Sequence, residues 1–185
     1  LFRSVSDTAF QQSTQIRDAV PSPDGKRLAF TVLNRLYVID YPNGTPKRLT
    51  TNEFTEAQPT WAPDGNSIVF TTWNADGGNL YRITLSGKTA GTQKLTKEAG
   101  LYQNPIFNLA GDRIVFLRSK ARVYKESYGP GYDGSEDDLC WIPSTGGDIN
   151  LIDKSLGRYN PHFVKDQADR VYLSNGNGDL ISLKW

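Results

Sequence analysis

Four times along its length the chain returns to one pattern. It reads AVPSPDGKRLAF at 19–30, PTWAPDGNSIVF at 59–70, PIFNLAGDRIVF at 105–116 and PHFVKDQADRVYL at 161–173. The spacing between starts grows from 40 to 46 and then 56 residues, so the unit is kept while insertions lengthen it. A supersecondary unit of roughly 40 residues cannot bury its own apolar faces and must stack on its neighbours.

Each unit has the same internal order. A short first segment carries a bulky residue or proline (Pro21, Trp61, Phe107, Phe163). A tight polar turn follows, cornered by Asp24-Gly25, Asp64-Gly65 or Ala110-Gly111, where glycine takes a positive φ without steric cost. An alternating strand comes next, with Leu28/Phe30, Ile68/Phe70, Ile114/Phe116 and Val171/Leu173 on one face. The third strand reads LYVID at 36–40, LYRITL at 80–85, LCWIP at 139–143 and LISLKW at 180–185. A short fourth strand closes three of the units, as KRLT at 47–50, QKLT at 93–96 and INLI at 149–152. The last unit stops after its third strand.

The expected fold is therefore all-β: a β-propeller of four-stranded antiparallel blades, about four of them in this chain. The blades are placed at 18–52, 58–98, 104–153 and 160–185, with 1–17 as a leading strand or linker, or a short helical turn. No stretch shows a helical period of useful length. A β-sandwich with as many strands is the competing architecture, but it does not require internal repetition. Two routes could close the stack. Either further blades lie outside these residues, or LFRSVSDTAF at 1–10 adds the missing outer strand to the last blade.

Composition narrows the function. There are 21 Lys+Arg against 20 Asp+Glu, a net charge of +1, which gives no electrostatic footprint for tracking nucleic acid. A single Cys and a single His exclude a disulfide framework and a multi-ligand Cys or His metal centre within this chain. No apolar run approaches the roughly 20 residues that span a bilayer. The chain opens at Leu1 without Met or a signal-type stretch and reads as a mature or excised segment.

These units resemble the WD-like SPDG repeats of TolB-like β-propellers. In that family a P-x-W-S-P-D-G turn leads into a strand, then an L-Y-x-x-D strand, then R-L-T. The first two units here carry all three pieces; the third keeps only the glycine of Asp-Gly, and the fourth loses both. A narrower resemblance, through IRDAVPSPDGKRLAFTVLNRLYVIDYPNGTPKRLT and QPTWAPDGNSIVFTTWNADGGNLYRI, is to large bacterial proteins that place such a propeller ahead of an amidohydrolase domain. It implies a propeller part of that architecture, with more blades upstream of Leu1 and one closing strand beyond Trp185, a periplasmic or secreted place, and catalysis in a half that this chain does not match. No cofactor is expected here.

The candidate surface lies in loops between second and third strands. The insertion KARVYKESYGPGYDGSEDD at 120–138 brings Arg122, Tyr124, Tyr128 and Tyr132 onto a Gly/Pro-rich loop with an acidic end. The equivalent loop of the second unit, TTWNADGGN, carries Trp73, Asn74 and Asp76. Both should emerge on one side of the ring, where aromatic side chains give contact area at low entropic cost. The acidic end does not match the twelve-residue calcium loop.

The remaining chemistry-bearing residues read more plainly. Asp24 and Asp64 recur at one structural position and read as turn-formers. Cys140, in an apolar strand with nothing beside it to lower its pKa, reads as core. SGKTAGT at 86–92 lacks the glycine that a phosphate loop needs five residues ahead of Gly-Lys-Thr. His162 reads as a hydrogen-bonded strand residue, or as a ligand or base near the ring centre, and is grouped with the loop residues above as part of one candidate partner or ligand surface. The expected partners are remaining blades, a catalytic domain of the same protein, or a protein or peptide. The competing readings are a propeller enzyme with its site in the central channel, and a TolB-like partner in an envelope complex.

Overall fold

The computed structural model describes residues 15–86, 91–126 and 132–185. It has four antiparallel sheets in chain order. The first contains β1 (Arg17–Pro21), β2 (Arg27–Val32), β3 (Arg35–Asp40) and β4 (Lys47–Arg48). The second contains β5 (Thr55–Trp61), β6 (Ser67–Trp73), β7 (Leu80–Thr84) and β8 (Gly91–Lys94). The third contains β9 (Leu101–Phe107), β10 (Arg113–Ser119), β11 (Asp138–Pro143) and β12 (Asn150–Lys154). The last has three strands, β13 (Tyr159–His162), β14 (Arg170–Ser174) and β15 (Leu180–Lys184). Each sheet is a meander of sequential neighbours, the topology of a propeller blade.

The blades stack one on the next, with an apolar cluster at each boundary. Ala29 and Leu36 of the first blade meet Trp61, Ile68, Phe70 and Ile83 of the second. Val69 and Leu80 of the second meet Tyr102, Ile114, Phe116 and Ile142 of the third. Val115, Leu117 and Leu139 of the third meet Val171 and Leu173 of the fourth. Period two explains the arrangement: Ile68 and Phe70 point back to the preceding blade while Val69, between them, points forward. Two face-packed layers, the sandwich alternative, would not yield three successive boundaries of this kind. Among the described residues, no cluster joins the first blade to the last.

The repeated turns act as anchors. Asp24 Oδ1 accepts from Ser22 Oγ at 2.6 Å and from the Lys26 amide at 3.1 Å, and Asp64 Oδ1 accepts from the Asn66 amide at 2.9 Å. These bonds hold the Asp24 carboxyl below the ordinary aspartate pKa. The next residue, Gly25 or Gly65, has a φ of 69° or 70°, as the turn requires. Neighbouring blades are also tied by polar contacts. Arg27 lies 4.7 Å over the Trp61 ring and donates to the Gly65 carbonyl at 2.7 Å, and Trp61 Nε1 donates to the Val20 carbonyl at 3.1 Å.

Two expectations need correction. A short helix, α1 (Ala121–Glu126), stands in the insertion of the third blade, where no helix was expected. It is under two turns long, too short for a hydrophobic period to register, and its Arg122–Glu126 pair at 2.8 Å supports it locally. The fourth strand of the first blade is reduced to Lys47–Arg48. The proposed closing segment 1–10 lies outside the described residues, as does most of the 86–92 turn.

Candidate functional site

The inner strands β1, β5, β9 and β13 meet around a central cavity of about 260 Å³. Each carries one non-glycine residue in the left-handed region: Asp18 (φ 51°), Gln58 (φ 50°), Asn104 (φ 50°) and Asn160 (φ 58°). Each marks a break in register against the second strand of its blade, which is a β-bulge. Asx residues tolerate this conformation better than most. The bulges turn backbone amides toward the neighbouring blade. Asp18 Oδ2 accepts from the Gln58 amide at 2.9 Å, and Gln58 Oε1 accepts from the Asn104 amide at 2.8 Å. The hub side chains are thus partners of the fold, linking the first blade to the second and the second to the third.

The sequence alone does not single out these hub residues. The available signal is the recurring amide before proline in Gln58-Pro59, Asn104-Pro105 and Asn160-Pro161. Their role becomes visible only when the strands are placed around an axis.

Beside the hub, the loops between the second and third strands of the second and third blades come together. Trp73 of the second blade and Tyr124 of α1 meet edge to face, with centroids 5.0 Å apart and planes at 81°. Tyr124 in turn meets Tyr132 at 5.4 Å and 87°. Such pairs add about 0.5–1.5 kcal/mol each beyond area burial. Asn74 and Asp76 form the turn under Trp73: the Asp76 amide donates to Asn74 Oδ1 at 2.8 Å. Lys125 Nζ donates to the Ala75 carbonyl and fastens the helix to that turn. Arg122 is exposed and paired with Glu126. Tyr128 lies outside the described residues.

The far end of the insertion is also fixed. Tyr132 Oη donates to the buried carboxylate of Asp137. Burial pushes the Asp137 pKa up, opposed by its hydrogen bonds from Tyr132 and Ser119. Burial, reinforced by the bond to Asp137, raises the Tyr132 phenol as well. Among the described residues, no group of three or more His, Cys, Asp or Glu is placed to hold a metal ion.

His162 does not join this surface. It lies on β13 of the last blade, 5.9 Å from the Tyr172 ring, with Nδ1 3.0 Å from the Asn160 carbonyl oxygen. Tyr172 is on the side of β14 opposite Val171 and Leu173, so the pair sits on the face turned away from the third blade. Cys140 is buried between the second and third blades, and burial pushes its thiol up to about 12.

Radially stacked four-stranded meanders joined by Asp-Gly turns define a repeat propeller, and comparison with known proteins narrows this to a family. The TolB beta propeller domain pattern matches residues 12–128, and the chain belongs to that family. An uncharacterised protein of Agrobacterium fabrum is 27% identical over 107 residues, covering 56% of this chain and 36% of that protein. The structure of a TolB-type protein from Agrobacterium tumefaciens matches with a TM-score of 0.61 and 20% identity, over 88% of this chain and 62% of that one. A puromycin-hydrolysing peptidase of Mycobacterium tuberculosis matches with a TM-score of 0.65 and 13% identity, over 90% of this chain and 27% of that one. At these identities the structural likeness shows the fold alone. The chain spans about a third of the curated relative's length.

Proposed function

We propose that this chain is a non-catalytic contact module: a rigid set of blades that holds an aromatic loop surface against a protein or peptide partner. The observation that carries the reading is the Trp73–Tyr124–Tyr132 cluster, which an insertion in one blade builds against a loop of the next. A scaffold role needs rigid blades under variable loops, and the packed boundaries beneath this cluster supply them. The module works as one part of a larger bacterial polypeptide with further blades and a metal-dependent amidohydrolase-type domain, in the periplasm or outside the cell. In support, the chain covers only part of the relatives it matches, and the propeller fold recurs within a much longer peptidase.

The test compares the chain alone with the whole polypeptide in metal analysis and in a hydrolase panel. Metal and activity are expected only with the whole polypeptide. Turnover by the chain alone, abolished by His162→Ala, would show a propeller enzyme instead.

A further inference from the structure

The joints between blades are built unequally. At the first boundary the Leu36 amide donates to Glu56 Oε2 at 2.8 Å and the Glu56 amide donates to the Asn34 carbonyl at 3.0 Å, beside the bonds of Asp18, Arg27 and Trp61. At the second, Gly78 and Gly100 exchange backbone bonds at 2.7 and 2.9 Å, Arg82 Nη1 donates to the Ser144 carbonyl at 3.1 Å, and Gln93 Nε2 donates to the Thr145 carbonyl at 2.9 Å. At the third, among the described residues, no hydrogen bond or ion pair joins β9–β12 to β13–β15. Val115, Leu117 and Leu139 meet Val171 and Leu173 there, and Trp185 lies 6.3 Å from the Trp141 ring and 5.3 Å from the Arg113 guanidinium carbon.

The hub shows where the pattern stops. Side-chain oxygens of Asp18 and Gln58 each take the bulge amide of the next blade. Asn104 has the same bulge and shares the hub cavity with Asn160, yet among the described residues its side chain makes no bond to the Asn160 amide. Asp18 is no longer than Asn104 and makes the bond at the first boundary. The missing link therefore lies in the spacing of the blades, not in the reach of the side chain. A cavity of about 220 Å³ marks the gap, lined by Gln103, Asn104 and Leu117 of the third blade and by Tyr159 of the fourth.

The connection between these blades is fixed at one end. The amide of buried Ser155 donates to the Asp137 carbonyl at 2.7 Å, its Oγ donates to the Gly134 carbonyl at 2.8 Å, and Arg158 Nε donates to the Ser155 carbonyl at 2.6 Å. All of these hold the connection to the third blade. Beyond Arg158 the chain passes through exposed Tyr159 and through Asn160, whose φ is 58°.

We infer that the third boundary is a seam, at which the fourth blade swings as a body against a locked unit of the first three, pivoting at Tyr159 and Asn160. Hydrogen bonds hold two sheets at set distances and angles, whereas apolar contact is non-directional and survives a change of angle. Hinge motion is absorbed by a few residues at the ends of elements. A swing changes the width of the hub cavity, since Asn104, Pro105 and Ile106 stand on one side of the seam and Asn160 and Pro161 on the other. The Trp73–Tyr124–Tyr132 surface lies within the locked unit, so the inference goes beyond the contact-module reading.

The test puts pairs of spin labels on the full polypeptide through encoded keto residues, which leave thiols unlabelled, and reads distances by double electron–electron resonance. A pair at Lys94 and Leu151 stays within the locked unit, and a pair at Leu151 and Leu180 spans the seam; all three side chains are exposed. The first pair should give one narrow peak, and the second a distribution about twice as broad or split in two. Asn104→Gln, longer by one methylene, should reach the Asn160 amide and shift the seam pair about five-fold toward its closed population, the worth of one hydrogen bond. The pair within the locked unit should not change. Equal widths for the two pairs in the parent protein overturn the inference, and so does a seam pair that Asn104→Gln leaves unaltered.

Discussion

The second strands of the second and fourth blades occupy the same position in the repeated pattern, yet their burial differs. In β6 every residue but the terminal Trp73 is buried, because blades pack on both of its faces. In β14 burial alternates: Val171 and Leu173 are covered by the third blade, while Tyr172 between them is half-exposed. The difference teaches that burial of a blade residue is set by its place in the stack. The motif places side chains on two faces; the neighbours decide which faces are dry. The same holds at the hub, where Asp18 and Gln58 bond to the next blade through side chains that turn chemistry alone would leave in solvent.

The largest test of that contrast is truncation at a covered and at a free face. Phe70→Ala and Phe116→Ala, each fully buried between blades, should each cost about 3–5 kcal/mol by urea denaturation. Tyr172→Ala should cost about 1 kcal/mol or less. Equal costs would break the contrast.

A smaller effect is expected at Glu56, a buried carboxylate whose Oε2 accepts from the Leu36 amide at 2.8 Å across the first boundary. Glu56→Ala leaves that buried amide unpaired and should cost about 1–3 kcal/mol, while Glu56→Gln, which keeps an oxygen acceptor, should recover most of it.

Asp137 sharpens the comparison through pH. Its pKa is raised in the folded protein by burial, so its carboxyl favours folding below the ordinary value of 3.8 and loses that contribution as pH rises through the folded value. Asp137→Asn keeps an acceptor for Tyr132 without the titration. The stability of this variant relative to the parent should therefore improve as pH rises through that window, read from denaturation midpoints across a pH series. A constant difference would mean that burial of this carboxylate carries no proton linkage.

The smallest effect is expected at Lys97 and Asp148, which join the second and third blades at 2.6 Å but are exposed to solvent. The bond lowers the Asp148 pKa and raises that of Lys97, yet exposed pairs contribute little and are screened by salt. Lys97→Ala should leave the denaturation midpoint unchanged within error.

Much of this architecture was legible in the residues. The Asp-Gly corners located the turns, and alternation in SIVF and RIVF marked strands buried on both sides once stacking was assumed. The meeting of Trp73 with Tyr124 was legible as well, because their loops join equivalent strands and so emerge on one rim. What was hidden depended on distance across blades. The bulged Asp18, Gln58 and Asn104 look like ordinary strand residues until the neighbouring amide is in reach. His162 was grouped with the loop surface although it lies on a strand, and its register opposite Tyr172 assigns it to another face.

Native-state hydrogen exchange on the 185-residue chain tests the stacked-blade account most directly. Amides of Ile68–Phe70 and Ile114–Phe116, dry on both faces, should exchange slowest and together. Those of β14 should exchange measurably faster. Protection in β14 equal to that in β6 and β10 would contradict the account.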